Sequence, residues 1–599
     1  MNNGFVRAVL ASNEFVLGKP QENITIMLDI AKQAKGDFLV FPELATTGYS
    51  MEDMFYQEEL LQASDSAIQT FLQHNPFQGC VVLGAPVVWE NVTYNCAVVL
   101  QGNRILGIVP KMYLPHTGEF YETRWFVDGD GIQTEIDFLG QNVPFGTIVF
   151  HTDDYSFGVE VCADMWGPVN PSSNLYLAGA EVVINISSSP EVVNKSDMRR
   201  ILANAISYRH KGAYLYVSSN ANESSSTLLF SGDTFVSQMG EILAEDKTIG
   251  FATKLVEADI DISYLQYVRR SNGWFRQARK RTPLKQALVP FTQVNGSLPL
   301  LAPLSKTPFI PTANIDSFVD QVINIQQVSL QRRLKVLTNP AVVLGLSGGL
   351  DSTMALWVAL QAFDQANIDR KRIFTYWLPT KHSSEKTKQS SRELARLAGV
   401  SFEEVDLQPK VDSDLGLLHH SSIDVTYENV QARARTNFLM NKANQVGGIV
   451  LGTSDMTEIA LGFSTFAGDQ IAHYGVNAGI PKTLIRFIIQ TLASRHTEYQ
   501  SVFTQVAGTT ISPELKDNQA SEDILGSYEV HDLLLYRFLK YGDHITRLNA
   551  LFPEYKTEIN TFFARFEGGQ FKRNSMPDAV KVLFSALSPS ADWRMPSDL

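Results

Sequence analysis

Short apolar runs bounded by turn residues alternate with segments of helical period along most of the 599 residues. The runs at 38–41, 80–83 and 96–100 are apolar throughout, and those at 6–10, 159–161 and 182–186 are apolar apart from Arg7, Glu160 and Asn185. All six are too short for helices and predict strands, the one at 38–41 a buried one. Residues 23–34 carry apolar positions at helical spacing, and similar patterns fall between several of the other runs. Over residues 1–260 this predicts a layered α/β domain with its own core. Further on, 315–337 reads as an amphipathic helix and Val342-Val343-Leu344 as a buried strand. A helix to residue 362, a strand at 373–378, a helix at 384–398 and a strand at 402–405 follow. That order predicts a doubly wound parallel sheet. Between the halves, residues 282–312 carry six prolines (283, 290, 299, 303, 308 and 311) and little periodicity, the pattern of an extended linker. The expected division is a first domain at 1–275, a Pro-rich linker at 276–314 and a second domain at 315–599.

Composition narrows the class. Hydrophobic residues make up 44% and charged residues 19% of the chain, as in ordinary globular proteins. The formal net charge of −13 argues against a nucleic-acid partner. The segment 269–281, RRSNGWFRQARKR, places six basic residues in thirteen and is expected as a solvated or interface segment. No apolar run approaches a membrane span, and MNNGFVRAVLASNEFVLG lacks the features of a secretory signal. Three cysteines in so long a chain suit a reducing compartment, so a cytoplasmic location is expected. Cys80 and Cys96 lie inside apolar runs and are expected as buried small hydrophobes. Adjacent His419 and His420 point in different directions and do not suggest a metal pair.

The densest chemistry lies where the strand at 342–344 meets a helix. The turn Ser347-Gly348-Gly349-Leu350-Asp351-Ser352 is rich in small residues. Such a turn lets backbone N–H groups converge on an anion, aided by the positive end of the helix dipole. It lacks the Gly-Lys-Ser/Thr ending of a Walker loop. A second buried run, Ile449-Val450-Leu451, enters the turn Gly452-Thr453-Ser454-Asp455, with Glu458 one helical turn on. Glu458 and Asp351 together could hold Mg²⁺ on bound phosphates, while Glu458 alone could simply complement a helix dipole. In the first half, Glu43 follows FLVFP, Lys111 follows RILGIVP and Cys162 follows FGVEV, each at a strand end. A carboxylate can activate a thiol, and an ammonium can hold an oxyanion.

The flanking residues carry family resemblances. The stretch 345–352 resembles the SGGxDS signature of the pyrophosphatase-loop ATPases. Phe41-Pro42-Glu43-Leu44 with Gly48-Tyr49, Lys111-Met112-Tyr113-Leu114-Pro115 and Cys162-Ala163-Asp164-Met165-Trp166 resemble the nitrilase superfamily of C–N hydrolases. That resemblance implies an α-β-β-α layered domain with Glu43 as general base, Lys111 as electrophilic stabiliser, Cys162 as nucleophile and Glu122 supporting the lysine. In the glutamine-hydrolysing branch it also implies glutamine contacts at Ser189 and Lys195. Position 117 is another, where the family often has tyrosine and this chain has Thr117. From residue 315 onward, LGLSGGLDS, YENVQARAR, VLGTSDMTE with LGFSTFAGD, VNAGIPKT, QFKR and SADWRMPSD resemble the NAD synthetases.

Taken together, the chain is similar to the glutamine-dependent NAD⁺ synthetase family over nearly its full length. The resemblance implies hydrolysis of L-glutamine at Cys162 and ATP-dependent adenylation of deamido-NAD⁺. Ammonia, carried through an internal channel, then displaces AMP to give NAD⁺. It implies ATP contacts at Gly345, Leu346, Ser347, Gly348, Gly349, Leu350, Asp351, Ser352 and Thr453, and Mg²⁺ at Asp351 and Glu458. Deamido-NAD⁺ contacts fall on Asn429, Glu458, Phe463, Ser464, Thr465, Phe466 and Lys572. A homo-oligomer is implied, with no nucleic-acid or membrane partner. GMP and asparagine synthetases share the SGGxDS loop, but their glutaminase halves use other nucleophiles, and a scaffold with decayed sites would have lost several of these motif positions.

Overall fold

The structure, a computed structural model, describes residues 3–282, 286–294, 298–381, 383–509 and 521–598. Two compact units divide the chain, Met1–Pro303 and Leu304–Leu599.

The first unit holds two sheets. One has eight strands in the order Lys254–Asp261, Phe5–Ser12, Phe38–Val40, Cys80–Trp89, Val92–Gln101, Arg104–Pro110, Gln141–Gly146 and Gln133–Phe138. The other has seven, running Glu241–Asp246, Thr234–Gln238, Ala213–Ser218, Val182–Ser187, Ser156–Val161, Ile148–His151 and Ala287–Pro290. Alternate side chains of one strand serve two cores. Val6, Ala8 and Leu10 pack with Val159, Val161, Ile184 and Leu215 between the sheets. Val9 and Ala11 face the other way, against Ile24, Met27, Ile68 and Phe71 of the helices Pro20–Gln33 and Glu58–His74. On the far side, the helices Pro171–Ala178 and Lys195–His210 cover Val183, Tyr214 and Tyr216. This is the expected helix–sheet–sheet–helix layering, and burial on both faces is why the strands read as largely apolar runs.

The Pro-rich stretch at 276–314 is not a bare linker. The helix Gly273–Arg281 enters it, and Ala287–Pro290 pairs in parallel with Ile148–His151 as a sheet edge. Pro290 ends an edge strand, a place that tolerates proline because one side of the ladder is free. Residues 283–285 and 295–297 of this stretch lie outside the described residues.

The second unit is built on a five-stranded parallel sheet: Ser401–Glu404, Ile373–Trp377, Val342–Gly345, Ile449–Gly452 and Tyr474–Gly475. Helices Ile315–Leu334, Leu350–Gln365 and Lys482–Arg495 bury Val319, Leu330, Met354, Trp357, Ile485 and Ile488 on one face. Helix Val425–Val446 packs Ala443 against Val343, Tyr376 and Val450 on the other. A third cluster joins Met456–Leu461, Tyr528–Tyr536 and Lys556–Gly568 through Leu461, Leu533, Phe562 and Phe566. The strand order reverses between Val342–Gly345 and Ile449–Gly452, and ligands of doubly wound sheets bind at the carboxyl ends beside such a reversal. Among the described residues, no helix is long and apolar enough to cross a membrane.

Candidate active sites in the two units

In the first unit, three strand ends deliver Glu43, Lys111 and Cys162. The turn after Phe38–Val40 lies hard against Cys80–Trp89, where a Cβ on Gly84 would stand 2.1 Å from Leu44 N and 2.5 Å from Pro42 O. Glycine there lets Glu43 reach inward. Lys111 follows Arg104–Pro110 directly, and Cys162 follows Ser156–Val161 with φ of +46°, a left-handed elbow that is costly for a side chain with a Cβ.

The side chains form a dry, closely paired set. Lys111 Nζ lies 2.7 Å from Glu43 Oε1 and 2.6 Å from Glu122 Oε1, and none of the three side chains is more than 1% exposed. Neutral donors brace both carboxylates. Asn95 Nδ2 donates to Glu43 Oε1 at 2.7 Å and Ser188 N to Glu43 Oε2 at 2.7 Å, while Tyr49 OH donates to Glu122 Oε1 at 2.7 Å. Burial disfavours the Lys111 ammonium, yet the Cys162 sulfur, Glu122 and Glu43 outweigh it and hold the amine well above its usual range. Burial pushes the Cys162 thiol up to about 12, Glu43 adding to the effect and Lys111 opposing it. A thiol this reluctant to ionise needs a base at hand, and Glu43 is close enough to act on its charge.

Asp164, quoted in the Cys162 motif but given no role from sequence, ties the turns of Lys111 and Cys162 together. Its carboxylate accepts from Val161 N at 3.0 Å, Met112 N at 3.1 Å and Tyr113 N at 2.8 Å. Glu160 and Glu223 were likewise missed. The former accepts from Tyr214 OH and Ser172 N, the latter from Tyr49 N and Ser50 N. All three carry long-range bonds that leave no local pattern.

The three glutamine candidates are placed differently. The Ser189 hydroxyl accepts from Arg199 Nη2 at 3.0 Å, which leaves its proton free to donate. Lys195 starts helix Lys195–His210, its ammonium 5.8 Å from the Phe120 ring centroid. Thr117 is exposed in the turn before Phe120, whose N–H donates to its carbonyl at 3.2 Å.

In the second unit, Gly348 has φ of +78°, and a Cβ there would stand 2.3 Å from Thr387 O. Gly349 starts the helix, and the side chains of Leu346 and Leu350 are buried in the core. From Gly345, Leu346 and Leu350 only backbone is available to a phosphate, while Ser347, Ser352 and Asp351 offer side chains. Thr453 O and Asp351 O both accept from Asn477 Nδ2, at 3.1 and 2.8 Å, which clasps the two strand-end turns together.

Asp455 accepts from Glu458 N at 2.8 Å and so starts helix Met456–Leu461, placing Glu458 on the side of the phosphate loop. Asp351, Asp455 and Glu458 each present one oxygen within 4.8 Å of the others. Asp351 Oδ1 is buried without a hydrogen-bond partner. Three hard carboxylate oxygens with an orphan among them fit Mg²⁺. Burial and Asp351 raise the Glu458 carboxyl to about 7 against the pull of Lys482. Asp455 and Lys482 were not assigned from sequence. Lys482 lies 131 residues from Asp351, so only the fold brings them together.

Most of the deamido-NAD⁺ candidates also meet. Thr465 Oγ1 donates to Asn429 Oδ1 at 2.8 Å, and Lys572 Nζ donates to Gly462 O at 2.7 Å and Ser464 O at 2.6 Å. Phe466 is exposed against Phe571, their centroids 5.6 Å apart, whereas Phe463 packs into the helical cluster beside Leu461. Ser464 and Lys572 line a cavity with Gly452, Ser454 and Asp469.

Two families match the chain, one in each unit. The carbon-nitrogen hydrolase family matches residues 7–270, and the NAD synthase family matches residues 322–577. The chain is 36% identical to the glutamine-dependent NAD(+) synthetase of Mycobacterium tuberculosis, covering all of this chain and 96% of that one. Against its counterpart from Thermotoga maritima identity is 26%, covering 99% and 98%. A solved glutamine-dependent NAD(+) synthetase from Cytophaga hutchinsonii covers 99% of the chain, is itself covered to 97%, and overlays at 19% identity with a TM-score of 0.41. With two matched domains in one order and a relative this similar over its whole length, the chain belongs to the glutamine-dependent NAD(+) synthetase family.

Proposed function

We propose that the chain makes NAD⁺ by ATP-dependent amidation of deamido-NAD⁺, using ammonia released from L-glutamine and yielding glutamate, AMP and pyrophosphate. One observation carries the reading: Lys111, with no exposed surface, is clamped by Glu43 and Glu122 beside a nucleophile elbow at Cys162. Amide hydrolysis through a thioester needs that set of groups.

Cys162 Sγ attacks the side-chain amide carbon of glutamine while its proton passes to Glu43. The new oxyanion lies against the Lys111 ammonium. Glu43 returns the proton to the leaving nitrogen, ammonia departs and the thioester remains. Water, losing a proton to Glu43, attacks the thioester and releases glutamate and the thiol. Ser189, Lys195 and the Thr117 turn are assigned to glutamine. In the second unit the turn at 345–352, with Thr453, holds ATP. Asn429, Glu458, Phe466, Thr465, Ser464 and Lys572 hold deamido-NAD⁺, and Phe463 supports them from the core. The substrate carboxylate attacks the α-phosphorus and pyrophosphate leaves. Ammonia then attacks the acyl carbon and AMP departs. Asp351 and Glu458, with Asp455 beside them, would hold Mg²⁺, which when bound neutralises phosphate charge. Assembly as a homo-oligomer in the cytoplasm belongs to the same reading, and the three free, buried cysteines suit a reducing compartment.

The test is Cys162→Ala. Glutamine-supported NAD⁺ formation should be lost, and synthesis from added ammonium should persist, because the thioester forms only in the first unit. Retained glutamine-dependent synthesis would remove Cys162 from its role, and loss of both would contradict the separation of the two chemistries.

A further inference from the structure

Lys482 is 1% exposed, and its ammonium stands among three carboxylates: 2.7 Å from Asp351 Oδ2, 2.7 Å from Asp455 Oδ2 and 2.8 Å from Glu458 Oε1. These are the residues whose oxygens cluster within 4.8 Å. A Mg²⁺ ion bound to such oxygens at about 2.0–2.1 Å would claim the space the ammonium fills, so the two cations exclude each other there. Without any cation, three carboxylates drawn this close would repel one another strongly.

The main chain and the ammonium of Lys482 are held in different ways. Its backbone N–H donates to Thr457 Oγ1 at 3.0 Å, and the next residue's N–H donates to Asp532 Oδ2 at 2.9 Å. The anchor is fixed, but the four-carbon stem carries a compact charge that can be re-aimed. Asp351 and Glu458 are each about a fifth exposed, so the cluster has a solvent-facing side, and Asp351 sits in the first turn of the helix that follows Gly349. A nucleotide triphosphate on the turn at 345–352 would bring fresh negative charge to that side.

We infer that Lys482 is a tethered counter-cation that occupies the metal site in the empty enzyme and yields it to Mg²⁺ only when a nucleotide triphosphate arrives to receive the ammonium. Metal alone gains little, because the displaced ammonium would have no anion to go to. Metal with nucleotide gains the carboxylates while the ammonium moves onto phosphate oxygens. The inference rests on the reading of Asp351, Asp455 and Glu458 as metal ligands.

The experiment measures Mn²⁺ binding, by its paramagnetic resonance signal, to the full chain and to Lys482→Gln, each with and without a non-hydrolysable ATP analogue. Glutamine keeps an amide donor for the carboxylates and removes the charge; Lys482→Met repeats the test should the amide variant not fold. Without nucleotide, the variant should bind Mn²⁺ at least tenfold more tightly than the wild type. Its Tm should rise with Mn²⁺ alone, while the wild-type Tm rises only with Mn²⁺ and the analogue together. Equal nucleotide-free affinity in the two proteins, or a wild-type Tm that rises with Mn²⁺ alone, would overturn the exchange and leave the metal site standing. No Mn²⁺ binding in either protein even with the analogue would overturn the metal site and the exchange with it.

Discussion

The two units each bury one lysine among carboxylates, and the partners of those carboxylates differ. Around Lys111, Glu43 and Glu122 also accept from Asn95, Ser188 N and Tyr49, and no side chain of the ion cluster is more than 1% exposed. Around Lys482, Asp351 and Glu458 keep about a fifth of their surface. Both clusters bury carboxylate oxygens without a hydrogen-bond partner, Glu122 Oε2 in the first and Asp351 Oδ1 in the second. Removing one member of a fully buried cluster leaves a buried charge unpaired, which costs about 3–5 kcal/mol. A cluster with an open side can trade one cation for another. The same salt-bridge chemistry thus suits a fixed part in one unit and an exchangeable one in the other, and the exposure of the carboxylates separates the two.

The fixed site can be broken first at its thiol, where the largest effect is expected. A cysteine raised from 9.0 to about 12 carries about a thousandfold less thiolate near pH 8 than an unperturbed one. A raised thiol pKa favours the neutral form, so alkylation of Cys162 by iodoacetamide in the substrate-free enzyme should keep rising about tenfold per pH unit past pH 9. Site-resolved mass spectrometry measures this, and a rate that levels off below pH 8 would mean a resident thiolate and a Glu43 already relieved of its task.

The smallest effect is expected at the rim. Thr117 is exposed, and its carbonyl accepts from Phe120 N–H. Thr117→Ala should change the glutamine KM by less than about tenfold, equivalent to about 1.4 kcal/mol, and leave ammonium-dependent turnover untouched. A much larger rise in KM would make the hydroxyl a specific ligand and extend the braced region to the rim.

What was legible in the sequence follows the same divide. The strands at 38–41 and 342–344, buried on both faces, are unbroken apolar runs and announce themselves, and the reactive residues follow because they stand where the runs stop. The hairpin Gln133–Phe138 with Gln141–Gly146 was not expected, since its first strand is largely exposed and both mix polar with apolar residues. Ala287–Pro290 was hidden by the prolines around it. In the helices from Tyr528 to Arg573 the spacing of Ile559, Phe562, Phe563 and Phe566 is helical, but their packing on Met456–Leu461 is tertiary and leaves no local sign. In the sites, Glu43, Lys111, Cys162, Asp351 and Glu458 were marked by flanking motifs. Asp455 reads locally as a helix cap, and nothing near Lys482 points to partners 24 and 131 residues away. Chemistry at a strand end is local information; the pairing that tunes it is not.

The claim that one chain joins these two chemistries is tested most directly by following the nitrogen. Wild-type protein is given deamido-NAD⁺, ATP and glutamine labelled with ¹⁵N in its side-chain amide, with an equal concentration of unlabelled ammonium. Mass spectrometry of the product should find ¹⁵N predominating in the NAD⁺ carboxamide, with AMP formed in step. NAD⁺ that carries only unlabelled nitrogen while ¹⁵N accumulates as free ammonium would contradict the coupling, and absence of NAD⁺ altogether would contradict the assigned reaction.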